Sequence, residues 1–268
     1  MLHFPKSSKV SREQTMPLAS FAQQFIQYNP DLAISKWLQQ PEGQKALQEI
    51  ERVSWIHQLS PAHLAELGDT TATAPAPDTP PASSATEDND IYVICLMELK
   101  LNYADSTVKP KILELLGFRG LMRYSIFVAR RPHPDKPLQA WIRYVNPSTQ
   151  KDTYCSTPWL SEAELEARIY PQGRSLKEVY DGLVRQILGL EQKHEQNQNT
   201  GSDEITVTKP LPKHRDLHID LRITDLESKI AKLEKKCRKE VQLNKKFAIR
   251  DKIRALKAEL TALRSSAE

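Results

Sequence analysis

The residue pattern with the clearest chemical potential is Glu98-x-Lys100, which closes the run I-Y-V-I-C-L-M-E-L-K over 91–100. Side chains alternate across a strand, so this carboxylate and ammonium share one face. A restriction-type nuclease sets an Asp and a Glu-x-Lys on neighbouring strands. Its two carboxylates hold Mg²⁺, while the Lys activates water or stabilises the leaving charge. Missing here is a preceding strand that ends in Asp. Asp88 and Asp90 lie in line with the strand rather than beside it, and Glu51, read as helical, is the remaining acid that could contribute. The opposing reading is a strand end reaching solvent with its charges paired or solvated. That reading is preferred, because charged pairs are more often structural than catalytic. Glu98, Lys100 and Glu51 are the catalytic candidates, and Glu98 is the metal candidate. Mg²⁺ is implied on the nuclease reading alone, and no other cofactor is expected.

Other constellations are weaker. His214 and His218 stand at helical i, i+4 spacing without a Cys or Glu-x-x partner to complete a zinc set. Arg119, Arg123, Arg130, Arg131 and Arg143 cluster in sequence beside Tyr124 and Trp141. Basic and aromatic groups on one face could contact phosphates and stack on bases, and an ordinary solvated sheet edge explains them nearly as well. No Gly-rich phosphate loop or nucleophile elbow is present.

These residues need elements to hold them. The 91–100 run is rich in β-branched and aromatic residues, lacks Gly and Pro, and is apolar on both faces until Glu98. It reads as the inner strand of a covered sheet. Ahead of it, residues 11–67 read as an N-terminal helical region docking on the core. Its proposed apolar stripes are Leu18, Phe21, Phe25, then Leu32, Ile34, Trp37, Leu38, then Leu47, Ile50, Val53. The stretch 68–90 reads as a linker, being rich in Pro, Ala, Thr and acids without a large apolar or basic residue from 69 onward. Residues 91–189 read as the compact domain. A helix follows Ser106, strands follow at 124–130, 139–145 and 152–156, and a helix opens on Ser175 and ends at Gly189. The order β-α-β-β-β-α predicts an α+β fold with a small, mostly antiparallel sheet.

After a second linker at 190–213, the segment 214–265 reads as a basic helical hairpin or coiled coil. Ile219, Ile223, Leu226, Ile230, Leu233 and Cys237 form one 4-3 seam; Ile249, Ile253, Leu256, Leu260 and Leu263 form another. The two seams are out of phase. Reversal near Gln242–Asn244 would let them bury each other and is preferred, and one long helix dimerising in parallel is the alternative. Residues 216–264 hold fourteen Lys/Arg against eight Asp/Glu, a net charge of +6 where the whole chain carries +4. That charge suits an acidic partner or phosphates.

Over all 268 residues the hydrophobic share is 39% and mean hydropathy is −0.55. No apolar run approaches the roughly 20 residues needed to cross a bilayer, and 1–10 lacks a signal-peptide apolar core. Cys95, Cys155 and Cys237 lie far apart and form no C-x-x-C. A reduced cytoplasmic protein without a membrane partner is the expectation.

Several pieces together resemble a known family. They are V-S-W-I-H-Q-L-S-P (53–61), M-E-L-K (97–100), Y-S-I-F-V (124–128), L-K-E-V-Y-D-G-L-V-R-Q-I-L-G (176–189) and the Lys/Glu-rich run 233–260 around Gln242, Asn244 and Lys246. Their order is similar to that of domain of unknown function family 4391, and the acidic linker departs from the pattern as if inserted. The resemblance implies a bacterial protein encoded beside helicases and DNA methyltransferases of restriction-like anti-phage systems, with no established activity. The stretch 243–260 also resembles a UvrB/UvrC-type helical hairpin, a module that serves mainly in protein docking.

The expected function is a non-catalytic accessory or adaptor subunit of a DNA-targeting complex. Its core and C-terminal hairpin would dock a helicase or methyltransferase. Partner-binding candidates are Leu226, Ile230, Leu233, Ile249, Ile253, Leu256 and Leu260. Nucleic-acid candidates are Arg123, Arg130, Arg131, Arg143, Lys245, Lys246 and Arg250. A homodimer through the C-terminal helices, direct DNA binding and the Mg²⁺-dependent nuclease are the alternatives.

Overall fold

The computed structural model describes residues 2, 4–67, 91–117, 124–190 and 216–265. The chain divides into two compact units: Met1–Tyr144 with Tyr154–Lys193, and Val145–Thr153 with His194–Glu268. The linkers read at 68–90 and, save for Leu190, at 190–213 lie outside the described residues.

The first unit is built on a six-stranded sheet in the order β1-β2-β3-β4-β5-β6. The strands are β1 (Lys9–Met16), β2 (Ile50–Leu59), β3 (Ile94–Leu101), β4 (Ser125–Arg130), β5 (Leu138–Asn146) and β6 (Lys151–Ser156). β2 pairs antiparallel with both β1 and β3, and β4 pairs antiparallel with β5. β3 and β4 run parallel, Cys95 opposite Ser125 through Lys100 opposite Arg130. The fold is therefore α+β as expected, but its sheet is mixed and larger than the small antiparallel one predicted.

The difference comes from the N-terminal region, which is not wholly helical. It supplies β1 and β2 as well as α1 (Leu18–Tyr28), α2 (Ala33–Leu38) and α3 (Pro41–Gln48). β2 mimics a helix in sequence because of a bulge. Register shifts between Ile50 and Arg52, so Ile50 and Val53 both reach the core although three residues apart. In a regular strand that spacing would put them on opposite faces. β1 has little apolar content and lies at the edge of the sheet, paired on one side only with β2.

One face of the sheet buries Ile50, Val53, Met97, Leu99, Leu101, Phe127 and Ala129 against Leu18, Phe21 and Phe25 of α1, Trp37 and Leu38 of α2, and α4 (Pro110–Gly117). On the other face Leu165 of α5 (Glu162–Arg168) meets Leu96, Val128 and Leu138 around a small cavity. α5 starts on a reciprocal cap, with Ser161 accepting from the Glu164 amide and Glu164 accepting from the Ser161 amide. α6 (Leu176–Leu188) is capped by Ser175 and stops at Gly189, whose φ of 68° is left-handed. The Tyr180 hydroxyl donates to the Arg143 carbonyl at 2.7 Å.

The second unit holds the turn 145–153 and two helices, α7 (Leu217–Lys239) and α8 (Leu243–Ser265). The chain reverses at 240–242, where Glu240 accepts from the Val241 and Gln242 amides. Arg222 bonds Glu259 at 2.7 Å, Arg264 bonds Glu227 at 2.8 Å and Lys257 bonds Glu234 at 2.9 Å, which ties the helices together antiparallel. This is the hairpin that the out-of-phase seams predict. Asp225 of α7 accepts from Ser148 of the turn and pairs with Lys229 at 2.6 Å. Burial pushes the Asp225 carboxyl up, but the bonds from Lys229 and Ser148, together with the charges of Lys229 and Lys232, hold the group below its ordinary value.

The N-terminal end packs on a buried histidine of β2. His57 Nδ1 lies 3.0 Å from Ser8 Oγ, and its ring sits 5.5 Å from that of Phe4. Burial first, and the nearby Lys9 second, lower the His57 pKa below 6.5. A depressed histidine stabilises the fold fully above its unfolded value and loses that contribution as pH falls through the folded value. Thermal melts should therefore drop as pH falls below about 6.5. His57→Gln should flatten that part of the profile, and an unchanged acid slope would remove His57 as its source.

Candidate functional site

Glu98 and Lys100 lie where β2, β3 and β4 run side by side. In register, Glu98 stands opposite Ser54 of β2 and Val128 of β4, and Lys100 stands opposite Arg52 and Arg130. Arg130 Nε donates to Glu98 Oε1 at 2.7 Å, and Arg130 Nη2 lies 3.8 Å from Glu162 Oε1 at the start of α5. Lys100 Nζ is 3.0 Å and 2.9 Å from the two carboxylate oxygens of Glu51. Glu51 belongs to β2 and not to a helix, because the bulge that extends the strand falls on it. The result is an ion pair, Glu51–Lys100, beside an ion triad, Glu98–Arg130–Glu162.

This arrangement does not fit a two-carboxylate Mg²⁺ centre. Two acids can share a cation when adjacent strands set them facing each other. The β2 residue facing Glu98 is Ser54, fully buried, with its hydroxyl unpartnered. The acid that β2 does bring to the cluster is closed on Lys100, and Glu98 is closed on Arg130. Among the described residues, no group of three or more His, Cys, Asp or Glu is placed to hold a metal ion. What the cluster does chemically is cancel charge at the ends of inner strands.

Of the arginines expected to form one basic face, Arg119 lies outside the described residues, and Arg130 and Arg143 do not share a face. Arg123 lies outside the described residues. Arg130 is spent on Glu98 and Glu162. Arg131 lies 4.0 Å over the Trp159 ring and donates from Nε to the Lys136 carbonyl at 3.3 Å. Arg143 sits five residues along β5 from Leu138, the partner of Arg130, which is roughly 17 Å away on the opposite face of the sheet. Tyr124 packs edge-on to Tyr180 at 5.2 Å.

In the hairpin, the seam residues named as partner-binding candidates lie along the facing helices. Leu226, Ile230 and Ile249 are buried, and Leu233, Ile253, Leu256 and Leu260 are half-buried. The apolar side chains left outside are different ones. Val241 is 93% exposed, Leu243 64% and Phe247 51%, all at the turn and the first turns of α8. Lys245, Lys246 and Arg250 are interleaved with them, and the Arg250 guanidinium lies 6.0 Å over the Phe247 ring. The signal was present in the sequence: these three apolar residues belong to neither seam.

The cysteines offer no reactive centre in the sheet. Burial pushes the thiols of Cys95 and Cys155 up to about 12, away from the thiolate form that a reactive cysteine uses.

Fold and site together define an α+β protein whose Glu-x-Lys strand carries an ion-pair cluster and whose C-terminus is a basic antiparallel hairpin. Residues 139–260 match the family model described as domain of unknown function (DUF4391), the family that the sequence motifs indicated. The matched stretch takes in β5, β6, α5, α6, α7 and most of α8; Glu51, Glu98 and Lys100 lie before it. Searches of curated proteins and of solved structures gave no match.

The two ion pairs should differ in weight. Glu98 is 19% exposed, whereas Glu51 and Lys100 are each 43% exposed. Arg130→Gln should lower stability by about 1–2 kcal/mol, because it strips a shielded carboxylate of its cation. Lys100→Met should cost less than about 0.5 kcal/mol, as expected of a solvated pair. Urea unfolding of both variants measures the order, and equal losses would contradict it.

Proposed function

We propose that this protein is a non-catalytic accessory subunit of a bacterial DNA-targeting complex that docks a helicase or DNA methyltransferase partner, with its C-terminal hairpin as the principal docking element. The observation that carries this reading is that the hairpin turns its seams inward, Leu226, Ile230, Cys237 and Ile249 being buried and the other seam residues half-buried. Its basic outer faces and exposed turn are thereby left for another molecule. A surface of that kind recruits partners by charge and holds them by a few apolar anchors. The closed ion pairs around Glu98 and Lys100 support the absence of cleavage chemistry. The kind of partner follows from what the family resemblance implies.

The test pairs a deletion with an activity assay. Protein lacking residues 214–268 should lose a co-expressed helicase or methyltransferase partner in pull-down. Full-length protein should leave supercoiled DNA intact with Mg²⁺ or Mn²⁺, alone or with that partner. Retention of the partner by the deleted protein would overturn the docking role. Nicking that disappears in Glu98→Ala would establish the nuclease instead.

A further inference from the structure

The turn and outer face of the hairpin carry a feature that charge alone does not explain. Over 235–250 there are seven Lys/Arg and one acid, Glu240, whose carboxylate is used on the backbone of the turn. Among those charges stand Val241, Leu243 and Phe247, all exposed. On α8, Leu243, Phe247, Arg250 and Arg254 fall at i, i+4, i+7 and i+11, one continuous line on the helix. The seam residues Ile249, Ile253 and Leu256 lie about a third of a turn round from it, by the 100° step per residue. Beyond the Glu234–Lys257 pair toward the turn, no ion pair crosses the hairpin among the described residues. The line is thus apolar at the turn and cationic further on, and no other helix of this hairpin covers it.

We infer that this line is a docking stripe for an acidic amphipathic helix of a partner protein. The inference rests on the docking reading above and deepens it. A helix laid along α8 would set apolar side chains on Leu243 and Phe247 and carboxylates on Arg250 and the flanking lysines. The complementary charge selects an acidic partner and speeds its encounter, while the two apolar residues slow its release. Duplex DNA fits less well. Phosphate contacts use cations and amides and leave the three apolar side chains uncovered. An anionic bilayer also fits less well. Only Leu243 and Phe247 on the line are apolar, Arg250 and Arg254 being charged, whereas a helix lying in the interface buries an apolar face along its length.

The test uses the full-length protein and a labelled synthetic peptide with Leu at i, i+3, i+4 and i+7 and Glu or Asp elsewhere. Anisotropy titration should show saturable binding that weakens as salt rises. Leu243→Ser combined with Phe247→Ser should weaken it by about tenfold or more, the range of an interface anchor. Arg250→Glu should weaken it too, and a peptide with Lys in place of its acids should not bind. Both hydrophobic positions are exposed, so the double variant should melt as the wild type does. Should it melt lower, Arg250→Glu alone decides the matter. Wild-type peptide binding by both variants would overturn the inference. So would loss of duplex DNA or phosphatidylserine-vesicle binding in the double variant with peptide binding unchanged. If residues 214–268 are still required for the partner in those cases, the docking reading stands and the stripe alone is discarded.

Discussion

The parallel pairing of β3 with β4 is the constraint that most of the first unit answers to. A parallel pair cannot be closed by a tight turn, so the chain must leave the sheet, cross it and return. α4 lies in that crossing, and its Ile112, Leu113, Leu115 and Leu116 bury against the same face as α1 and α2. With Leu165 of α5 on the opposite face, β3 has no free side and is apolar almost to its end. Inner strands so placed have one place for charge, the last residues before the loop. Glu98, Lys100 and Arg130 are all there.

Charges at such a position have few options. A carboxylate shielded by a covering helix needs a cation or donors, or it raises the cost of folding. Parallel register sets Arg130 beside Lys100 and within reach of Glu98, and the bulged start of β2 brings Glu51 to Lys100. Each acid is thereby neutralised by a neighbour strand. The same geometry explains why a Glu-x-Lys spacing is poor evidence of catalysis by itself. Alternation puts the two charges on one face in any strand, and the function depends on what the next strand sets opposite them. Here that residue is Ser54, and the charges are satisfied within the sheet.

The legible parts of the sequence were those where one physical signal dominates. β3 is an uninterrupted apolar run, α4 and α6 have Pro, Ser and Gly at their ends, and the two seams of the hairpin announce both helices and, by their phase, the reversal between them. β2 was illegible for a specific reason: its bulge sets Ile50 and Val53 on one face at a spacing that belongs to helices. β1 was illegible for another. Its residues K-V-S-R-E-Q-T-M have no alternation worth reading, and the strand exists because β2 offers an edge to pair with. α5 was legible in principle, since Ser161 and Glu164 stand at capping-box spacing. For the candidate site, the sequence carried the three residues Glu51, Glu98 and Lys100 but not their pairing, which depends on register. The two arginines set on opposite faces of the sheet, Arg130 and Arg143, were inseparable by sequence position alone.

The hairpin follows a different logic from the sheet, because in it charge and apolar surface are divided by side of the helix. Arg222, Lys257 and Arg264 are consumed in bonds between the two helices, where they fix the antiparallel alignment. Exposed pairs of that kind each add little stability, so the buried seam and not the ion pairs must hold the helices together. That leaves the seams facing inward and, among the described residues, the cations toward the turn outside the ion pairs that cross the hairpin. A solvated face has no need of Leu243 and Phe247, since exposed apolar side chains add nothing to solubility and gain nothing from water. Leu243 and Phe247 stand among Lys245, Lys246 and Arg250 outside both seams, so the folding of the hairpin does not itself account for them.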